Sequence, residues 1–311
     1  SQRANVLQVP IYTDYKKLVT ELELDGIIIA LPNQMHREAV EVCSRKCFSL
    51  LVEKPIADSI EDGRKIVDLC HCRGVRLLVG HHRRFSSQLN CLKKLIESGR
   101  IGRICGASMF WVLAKHKAYF EDAWRVQKGG GPLLINGIHD IDDFRHITGL
   151  NVTSVYAATR SNIRGLTVED SASVLMETKE GATVNYFLSD GIPSPWNYEA
   201  DARENPTKHP CQADCYYFFG TRGSIAFPSM RLFYYDDNNY GWEEPLLEET
   251  VSCVKNDPMT AELCHFIQVV RGQEDPLVTG EDALETLRII QAVKQSAEHK
   301  KVMHLHDPLI I

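Results

Sequence analysis

The sequence predicts an α/β fold, in which a doubly wound parallel sheet is followed by an α+β domain with a large, mostly antiparallel sheet. Two observations predict it. From Val9 to Val79, helical periodicity alternates with short, continuous apolar runs, which are typical of parallel strands covered on both faces. After Gly80, alternating apolar and polar segments separated by turn signals indicate antiparallel strands. A chain of 311 residues is also longer than a single hydrophobic core usually accommodates. We therefore predict two domains, 1–82 and 83–311.

The first region reads as a βαβαβ arrangement. Tyr15, Leu18, Val19 and Leu22 form an apolar helical stripe behind a Thr13 or Asp14 N-cap. The remaining elements are predicted as strand Gly26–Leu31, turn Pro32–Asn33, helix His36–Cys47, strand Phe48–Val52, helix Ile60–Arg73 and strand Val75–Val79. This order is typical of a doubly wound sheet.

The second region begins with a predicted helix, Gln88–Ser98, and ends with two more, Met259–Arg271 and Gly280–Glu298. Between them we predict a sheet of about six strands. The strand segments are Gly106–Leu113, Val152–Thr159, Ala172–Thr178, Ala182–Ser189, Tyr216–Gly220, Ser224–Phe227 and Arg231–Tyr235.

Composition excludes several classes of protein. The 35 Lys and Arg against 41 Asp and Glu give a net charge of −6 with interspersed signs, so nucleic acid is not expected as a partner. No apolar run is long enough to cross a membrane, and the N-terminus lacks a signal pattern, so we expect a soluble, cytoplasmic protein. Ten irregularly spaced cysteines are expected to be reduced thiols. No metal site is expected, because His209, Cys211 and Cys215 lack a second cysteine pair.

Two motifs follow predicted strands. Glu53-Lys54-Pro55 lies where ligands bind in open α/β sheets, beyond the carboxyl end of a strand, although Lys54 could equally be a surface lysine. Pro55 ends the strand and so keeps the lysine at its carboxyl end, beside the crevice where ligands bind. One strand earlier, Asn33 could cap a helix or hydrogen-bond a ribose, and His36 lies in the first helical turn.

A third motif joins three glycines to a histidine. Gly129 to Gly131 allow the backbone to approach a ligand or another chain segment closely. His139 follows on a helix, with Asp142 and Asp143 three and four residues later, near enough to orient an imidazole. An imidazole with an ordinary pKa near 6.5 can transfer a proton at neutral pH.

In this order and spacing, the segments resemble the Gfo/Idh/MocA family of NAD(P)-dependent oxidoreductases, which act mostly on sugars, polyols and cyclic alcohols. The resemblance covers nearly the whole chain. It is carried by the segments ALPNQMH, LLVEKPIADS, LLVGHHRRF, LIESGRIGRI, GGGPLLINGIHDID, SPW and GTRGSIAFP.

The resemblance implies roles for particular residues. Lys54 would polarise the substrate oxygen, and His139 would be the proton-exchanging acid or base. The residues implied to line the cofactor are Pro32, Asn33, His36, Glu53 and Pro55, and those implied to contact substrate are His82, Arg84, Trp111, Asn136 and Asp142. It also implies a homodimer through the C-terminal sheet.

Two departures from the family pattern stand out. Many members carry Asp four residues before the histidine, where this chain has Ile135 beside Asn136, so that role is absent or moves to Asp142 or Asp143. The sequence also lacks a G-x-G-x-x-G turn, so we expect a Rossmann-like sheet truncated by a βαβ unit of at least ~30 residues. Either one Met or that whole unit precedes Ser1.

Three functions follow. The first is hydride transfer between NAD or NADP and a hydroxyl or carbonyl group. The second is a cofactor-independent isomerase, lyase or cyclase that uses Lys54 and His139 as acid and base. The third is a non-catalytic ligand sensor. The family resemblance favours the first, with a small molecule as substrate.

Overall fold

The chain folds as two compact units in the computed structural model, which describes residues 9–127, 129–204, 208–236 and 239–306. The first unit comprises Ser1–Gly80 with Leu263–Asp282, and the second comprises His81–Glu262 with Ala283–Ile311. Residues 263–282, which the sequence pattern grouped with the second domain, therefore pack in the first unit. Gly26 makes this possible, because its missing Cβ would lie only 2.7 Å from Val270.

The first unit contains a parallel sheet, as predicted. Its strands β1 (Ile27–Ile29), β2 (Ser49–Glu53) and β3 (Arg76–Gly80) are hydrogen-bonded in the order β1-β2-β3. Leu50, Leu51 and Val52 are fully buried, as expected for a strand covered on both faces. Because all three strands are parallel, their carboxyl ends lie along one edge of the sheet.

Side-chain caps begin two helices of this unit. Helix α1 (Tyr15–Glu21) begins where the Asp14 carboxylate accepts the Lys16 N–H at 2.9 Å, and α2 spans His36–Cys43. Helix α3 (Ile60–Arg73) begins at the Ser59 hydroxyl, which accepts the Asp62 N–H, and ends at Gly74. Gly74 has φ +64°, the left-handed conformation that glycine adopts without a Cβ penalty.

The second unit is built on a nine-stranded sheet of order β11-β10-β9-β8-β4-β7-β6-β5-β12. All neighbouring strands are antiparallel except β4 and β7, which are parallel. The strands are β4 (Ile104–Val112), β5 (Val152–Arg160), β6 (Ser171–Thr178), β7 (Thr183–Ser189), β8 (Tyr216–Gly220), β9 (Gly223–Phe227), β10 (Arg231–Tyr234), β11 (Leu247–Thr250) and β12 (Met303–His304). The predicted mostly antiparallel sheet is confirmed, with two short edge strands, β11 and β12, that the sequence pattern did not predict.

The remaining helices are α4 (Ser87–Glu97), α5 (Ile138–Thr148), α6 (Tyr198–Asp201), α7 (Pro258–Val270) and α8 (Gly280–His299). Shorter 3₁₀ turns cover Asn33–Met35, His82–Phe85, Lys117–Glu121 and Ala123–Val126, and a π-helical turn covers Leu133–Gly137. One face of the sheet carries the core, since Ala172, Val174 and Met176 of β6 are buried while the intervening residues are exposed. Across the described residues, the helices are all too short or too polar to cross a membrane.

The expectation of reduced cysteines is wrong for one pair. Cys91 of α4 forms a disulfide with Cys253, from which it is separated by 162 residues. Hydrogen bonds hold these segments together, because Asn256 Oδ1 accepts the Ser87 N–H at 2.8 Å and Asn256 Nδ2 donates to the Phe85 carbonyl at 2.9 Å. The pairing depends on this packing, so the cysteine spacing gave no sign of it.

Candidate active site

The carboxyl edge of the parallel sheet carries the first group of predicted site residues. Glu53 is the last residue of β2 and Lys54 follows it, with Glu53 Oε2 accepting the Lys54 N–H at 3.2 Å. Burial raises the pKa of the Glu53 carboxyl, and the nearby Lys54 charge offsets part of that shift. Gly80 pairs with Glu53 across the sheet, and a Cβ there would lie 3.3 Å from Glu53 Cα, so the glycine leaves room for this carboxylate.

His36 joins the segments that follow β1 and β2. Its ring is fully buried, with Nε2 2.8 Å from the Leu31 carbonyl and Nδ1 3.1 Å from the Pro55 carbonyl. Through these contacts the imidazole connects the two loops that follow β1 and β2. Its predicted contact with a cofactor stays a prediction.

Asn33 opens the 3₁₀ turn Asn33–Met35, directly after Pro32, and the N-cap position of α2 is Met35 and not Asn33. Asn33, Glu53 and Lys54 keep part of their surface exposed at the strand ends. A polar, partly open edge of this kind fits the nicotinamide half of a dinucleotide. The sequence carries no G-x-G-x-x-G turn for the pyrophosphate half.

His139 lines a cavity of about 430 Å³ in the second unit. Its ring centroid lies 5.2 Å from that of His82 in an edge-to-face arrangement. The other lining residues are Arg83, Tyr198, Glu199, Glu204, Asp257, Pro258 and Met259. The cavity therefore brings two of the predicted site residues, His82 and His139, to one wall.

The glycine triplet before His139 accommodates neighbouring chain segments. A Cβ at Gly130 would lie 2.4 Å from the Trp124 carbonyl oxygen, and one at Gly131 would lie 2.2 Å from the Glu169 carboxylate. That carboxylate accepts the Leu133 N–H at 3.1 Å, at the start of the π-helical turn. Of the two interpretations of the triplet, the observed contacts favour close packing of the chain.

A buried charge cluster lies behind the cavity, centred on Arg83. Its guanidinium donates to Asp140, Asp143 and Glu199 at 2.8–2.9 Å. The same guanidinium stacks 4.0 Å from the Tyr198 ring centroid. The cluster is completed by Tyr186, whose hydroxyl donates to Asp140 at 2.5 Å, and by Tyr216, whose hydroxyl contacts both aspartates.

Three carboxylates around one guanidinium leave an excess of negative charge in a buried place. Burial raises the pKa of Asp143 to about 8; Arg83 opposes this shift and Asp140 adds to it. Burial also raises the pKa of Asp140. The cluster can therefore hold a proton at neutral pH, behind the wall that carries His139.

Arg84 and Asp142, both predicted to contact substrate, bind each other. Asp142 accepts two hydrogen bonds of 2.7 Å from Arg84 and one of 3.0 Å from Thr286, and both side chains of the ion pair are buried. Burial would raise the pKa of Asp142, but the charges of His81 and Arg84 hold it well below its usual range. The ion pair ties the turn His82–Phe85 to α5, and the predicted substrate contact of both residues stays a prediction.

Trp111 and Asn136 each hydrogen-bond a residue that is not among the predicted site residues. The Trp111 indole donates to Glu199 Oε2 at 2.7 Å. Asn136 Oδ1 accepts from Lys115 Nζ at 2.9 Å. For Glu199 the sequence signal was the SPW segment that precedes it, and for Arg83 of the charge cluster it was the arginine doublet. Within the described ranges, no group of three or more His, Cys, Asp or Glu could hold a metal ion.

Comparison with known proteins shows the family. Residues 1–81 match the model for the NAD-binding Rossmann fold of the GFO/IDH/MocA oxidoreductase family, and residues 93–305 match that for its C-terminal alpha/beta domain. The chain is 27% identical over 277 residues to the rhizopine catabolism protein MocA of Rhizobium meliloti, covering 88% of this chain and 76% of that protein. It is 24% identical over 306 residues to a myo-inositol 2-dehydrogenase of Thermotoga maritima, covering 95% and 84%.

A solved structure shows the same fold. An oxidoreductase from Agrobacterium radiobacter in complex with NAD⁺, L-tartaric acid and magnesium superposes with a TM-score of 0.76 at 21% identity, covering 97% of this chain and 86% of that one. The two family models together span both units of the fold described above. The chain belongs to the GFO/IDH/MocA family of oxidoreductases.

Proposed function

We propose that this protein transfers a hydride between NAD(P) and the carbon of a hydroxyl or carbonyl group on a sugar, polyol or cyclic alcohol. The observation that carries the proposal is the cavity lined by His139, His82 and Glu199, in a chain whose family has an NAD-binding domain. Its polar wall suits a substrate with several hydroxyl groups, since each hydroxyl both donates and accepts hydrogen bonds.

The chain's own residues have distinct tasks in this proposal. Lys54, at the end of β2, polarises the substrate oxygen with its ammonium group. His139 takes the hydroxyl proton in the oxidative direction and returns it in the reductive direction. Bound NAD(P) supplies the hydride acceptor or donor. The residues that would hold its nicotinamide end are Asn33, Glu53 and Lys54.

The relatives support the substrate class. One is a myo-inositol 2-dehydrogenase, which acts on a cyclic polyol, and one solved neighbour was crystallised with NAD⁺. The first test is direct binding. NAD(H) or NADP(H) at millimolar concentration should quench tryptophan fluorescence and raise the melting temperature. If neither cofactor has either effect, the redox proposal fails for this chain.

The second test addresses the two proton-handling residues. With a panel of polyols, Lys54→Ala and His139→Ala should each lower kcat by about 10²–10⁴-fold, the usual range for such groups. Lys65→Ala is the matched control, because Lys65 is an exposed lysine paired with Glu61. Unchanged turnover in both site variants would exclude these roles.

We also propose a homodimer through the C-terminal sheet. Tyr156 of β5 and Leu175 of β6 are register partners, and both are more than two-fifths exposed. Light scattering should give twice the chain mass, and Leu175→Glu should give the monomer. A monomeric wild-type protein would contradict this proposal.

A further inference from the structure

A cationic cluster lies in the second unit beyond the end of β4. The Leu113 N–H donates to the Ser189 carbonyl at 3.0 Å, and the Lys115 N–H donates to the Asp190 carbonyl at 2.9 Å. This pairing extends β4 alongside the end of β7 and places the Lys115 side chain beside the Asp190 carboxylate. Arg164 reaches the same carboxylate from the loop between β5 and β6.

Both cations are largely enclosed. The side chains of Lys115 and Arg164 are 8% and 15% exposed, and that of Asp190 is 1% exposed. Lys115 Nζ lies 3.4 Å from Asp190 Oδ2, and Arg164 Nη1 contacts Asp190 Oδ1. Aromatic rings pack against both cations.

The rings also contribute attraction. Lys115 Nζ lies 4.3 Å from the Tyr119 ring centroid and 5.4 Å from that of Trp111. The Arg164 guanidinium lies 4.2 Å from the Phe120 ring centroid. Such cation–π contacts favour the charged forms but are weaker than a second carboxylate would be.

The cluster is short of one negative charge. Two cations share Asp190, whose Oδ2 makes the 3.4 Å ion pair with Lys115 but no hydrogen bond. Arg164 Nε and Nη2 are buried with no hydrogen-bond acceptor within the described residues. Burial lowers the pKa of Lys115 to about 8, and Asp190 offsets only part of this shift. Glu199 also lies near Lys115, but it already accepts hydrogen bonds from Arg83 and Trp111. The Tyr119 ring beside Lys115 also contacts the Arg125 guanidinium, which pairs with Asp122. Buried donors without acceptors are costly, so the site favours an added anion.

We infer that Lys115 and Arg164 bind a carboxylate group of the substrate. A carboxylate carries one charge and matches the deficit of one, whereas a phosphate monoester carries about −1.5 to −2 at pH 7. The guanidinium fork also fits the two oxygens of a carboxylate. The substrate class would then be sugar acids or hydroxy acids.

The inference rests on the proposed function where it assigns this cluster to the substrate site. Two contacts connect the cluster to the His139 cavity. Lys115 donates to Asn136, which precedes His139 by three residues, and Trp111 hydrogen-bonds Glu199 of the cavity wall.

The protonation of Lys115 gives the inference a pH signature. Carboxylate binding needs the ammonium form, so affinity should fall about tenfold per pH unit above about 8. By reciprocity, a bound carboxylate must raise the pKa of Lys115. A neutral polyol of the same size should bind with an affinity that does not fall above pH 8, and it should not raise the pKa of Lys115.

The first experiment uses wild-type protein without cofactor. An amine-acylating reagent is applied from pH 7 to 10, and labelling is read by peptide mass spectrometry with D-gluconate, with D-glucitol, or with neither. The acylation rate of Lys115 should rise with pH, with its midpoint near pH 8. Gluconate should lower that rate at least tenfold, whereas glucitol should leave it unchanged. Exposed Lys117 is the internal control. If gluconate and glucitol act alike on Lys115, the inference is overturned.

The second experiment measures binding of the same two ligands by calorimetry. Lys115→Met and Arg164→Met should each weaken gluconate binding at least tenfold, whereas Lys117→Met should not. Lys115→Arg should retain binding at pH 9, because its charge does not titrate there. Tighter binding of glucose 6-phosphate than of gluconate would also overturn the carboxylate assignment.

These assays need neither cofactor nor turnover, so the two proposals fail separately. Selective gluconate binding without NAD(P) binding contradicts only hydride transfer. NAD(P) binding and polyol oxidation without preference for gluconate contradict only the carboxylate site.

Discussion

The edge of the parallel sheet and the Arg83 cluster are both polar regions of the molecule, yet they are held together differently. At the sheet edge, His36 contacts two backbone carbonyls and Glu53 accepts a backbone N–H, so short motifs next to strand ends supply most partners. In the Arg83 cluster, the partners are side chains between 57 and 133 residues away in sequence. The first region is a local structure, whereas the second exists only after the sheet and helices have packed.

The difference also concerns charge. The sheet edge contains partly exposed groups, whereas the Arg83 cluster places one guanidinium and three carboxyl groups where water is largely excluded. Removing one member from a buried set leaves its partners uncompensated. We therefore expect the cluster to respond more strongly to substitution than the edge.

The largest effect is expected for Arg83→Met. The change leaves Asp140, Asp143 and Glu199 without their shared cation, and the free energy of unfolding should fall by about 3–5 kcal/mol. Urea denaturation at pH 7 measures it. Arg100→Met is the matched control, since that arginine pairs with Glu249 on the surface and should change stability little. Equal effects of the two variants would remove the contrast between the regions.

The next effect concerns pH. A carboxyl whose pKa is raised in the folded state carries an extra proton there between about pH 4 and about pH 8, so stability falls as pH rises through that range. For Asp143 the slope should be at most about 1.4 kcal/mol per pH unit. Asp143→Asn should abolish this contribution.

The measurement is urea denaturation of wild type and Asp143→Asn at pH 6 and pH 8. The variant should lose less stability than the wild type over this interval. Parallel pH profiles would show that Asp143 does not hold its proton in the folded state.

At the sheet edge, His36→Ala should lower the free energy of unfolding by about 1–3 kcal/mol, because the Leu31 and Pro55 carbonyls lose a buried partner. Hydrogen exchange read by mass spectrometry should increase in peptides covering 31–35 and 53–57. Peptides from β6 serve as the control and should not change. Uniform acceleration over the whole chain would show that this region is not a local structure.

The smallest effect is expected for Gly131→Ala. Its Cβ would displace the Glu169 carboxylate, which costs the hydrogen bond to the Leu133 N–H, about 1 kcal/mol. The double variant Gly131→Ala with Glu169→Ala should show less than the sum of the single effects. Additive thermal-denaturation results would mean that the two residues do not interact.

The alternation of helical and apolar segments was sufficient to predict the parallel sheet and its helices, because burial on both faces of a strand leaves a continuous apolar run. The position of Lys54 at the end of β2 followed from the same reasoning. The family resemblance is confirmed by two matching models. The proton-handling roles of Lys54 and His139 stay predictions.

The sequence pattern failed where partners are distant. Nothing near Arg84 in sequence indicated Asp142 as its partner, and the spacing of Cys91 and Cys253 did not suggest a disulfide. Lys115 follows a predicted strand and has no distinguishing sequence signal. Its contacts with Asp190, Asn136 and Trp111 form only in the folded chain.

By itself, then, the sequence determined most of the strands and helices, the Asp14 cap and the residues at the strand ends, since these depend on periodicity and on neighbours a few positions away. Only the tertiary structure decided the partners of Arg83 and the protonation of Asp143 and Lys115. The reason is physical: a pKa depends on burial and on charges within a few ångströms. Those charges come from segments that meet only in the folded chain.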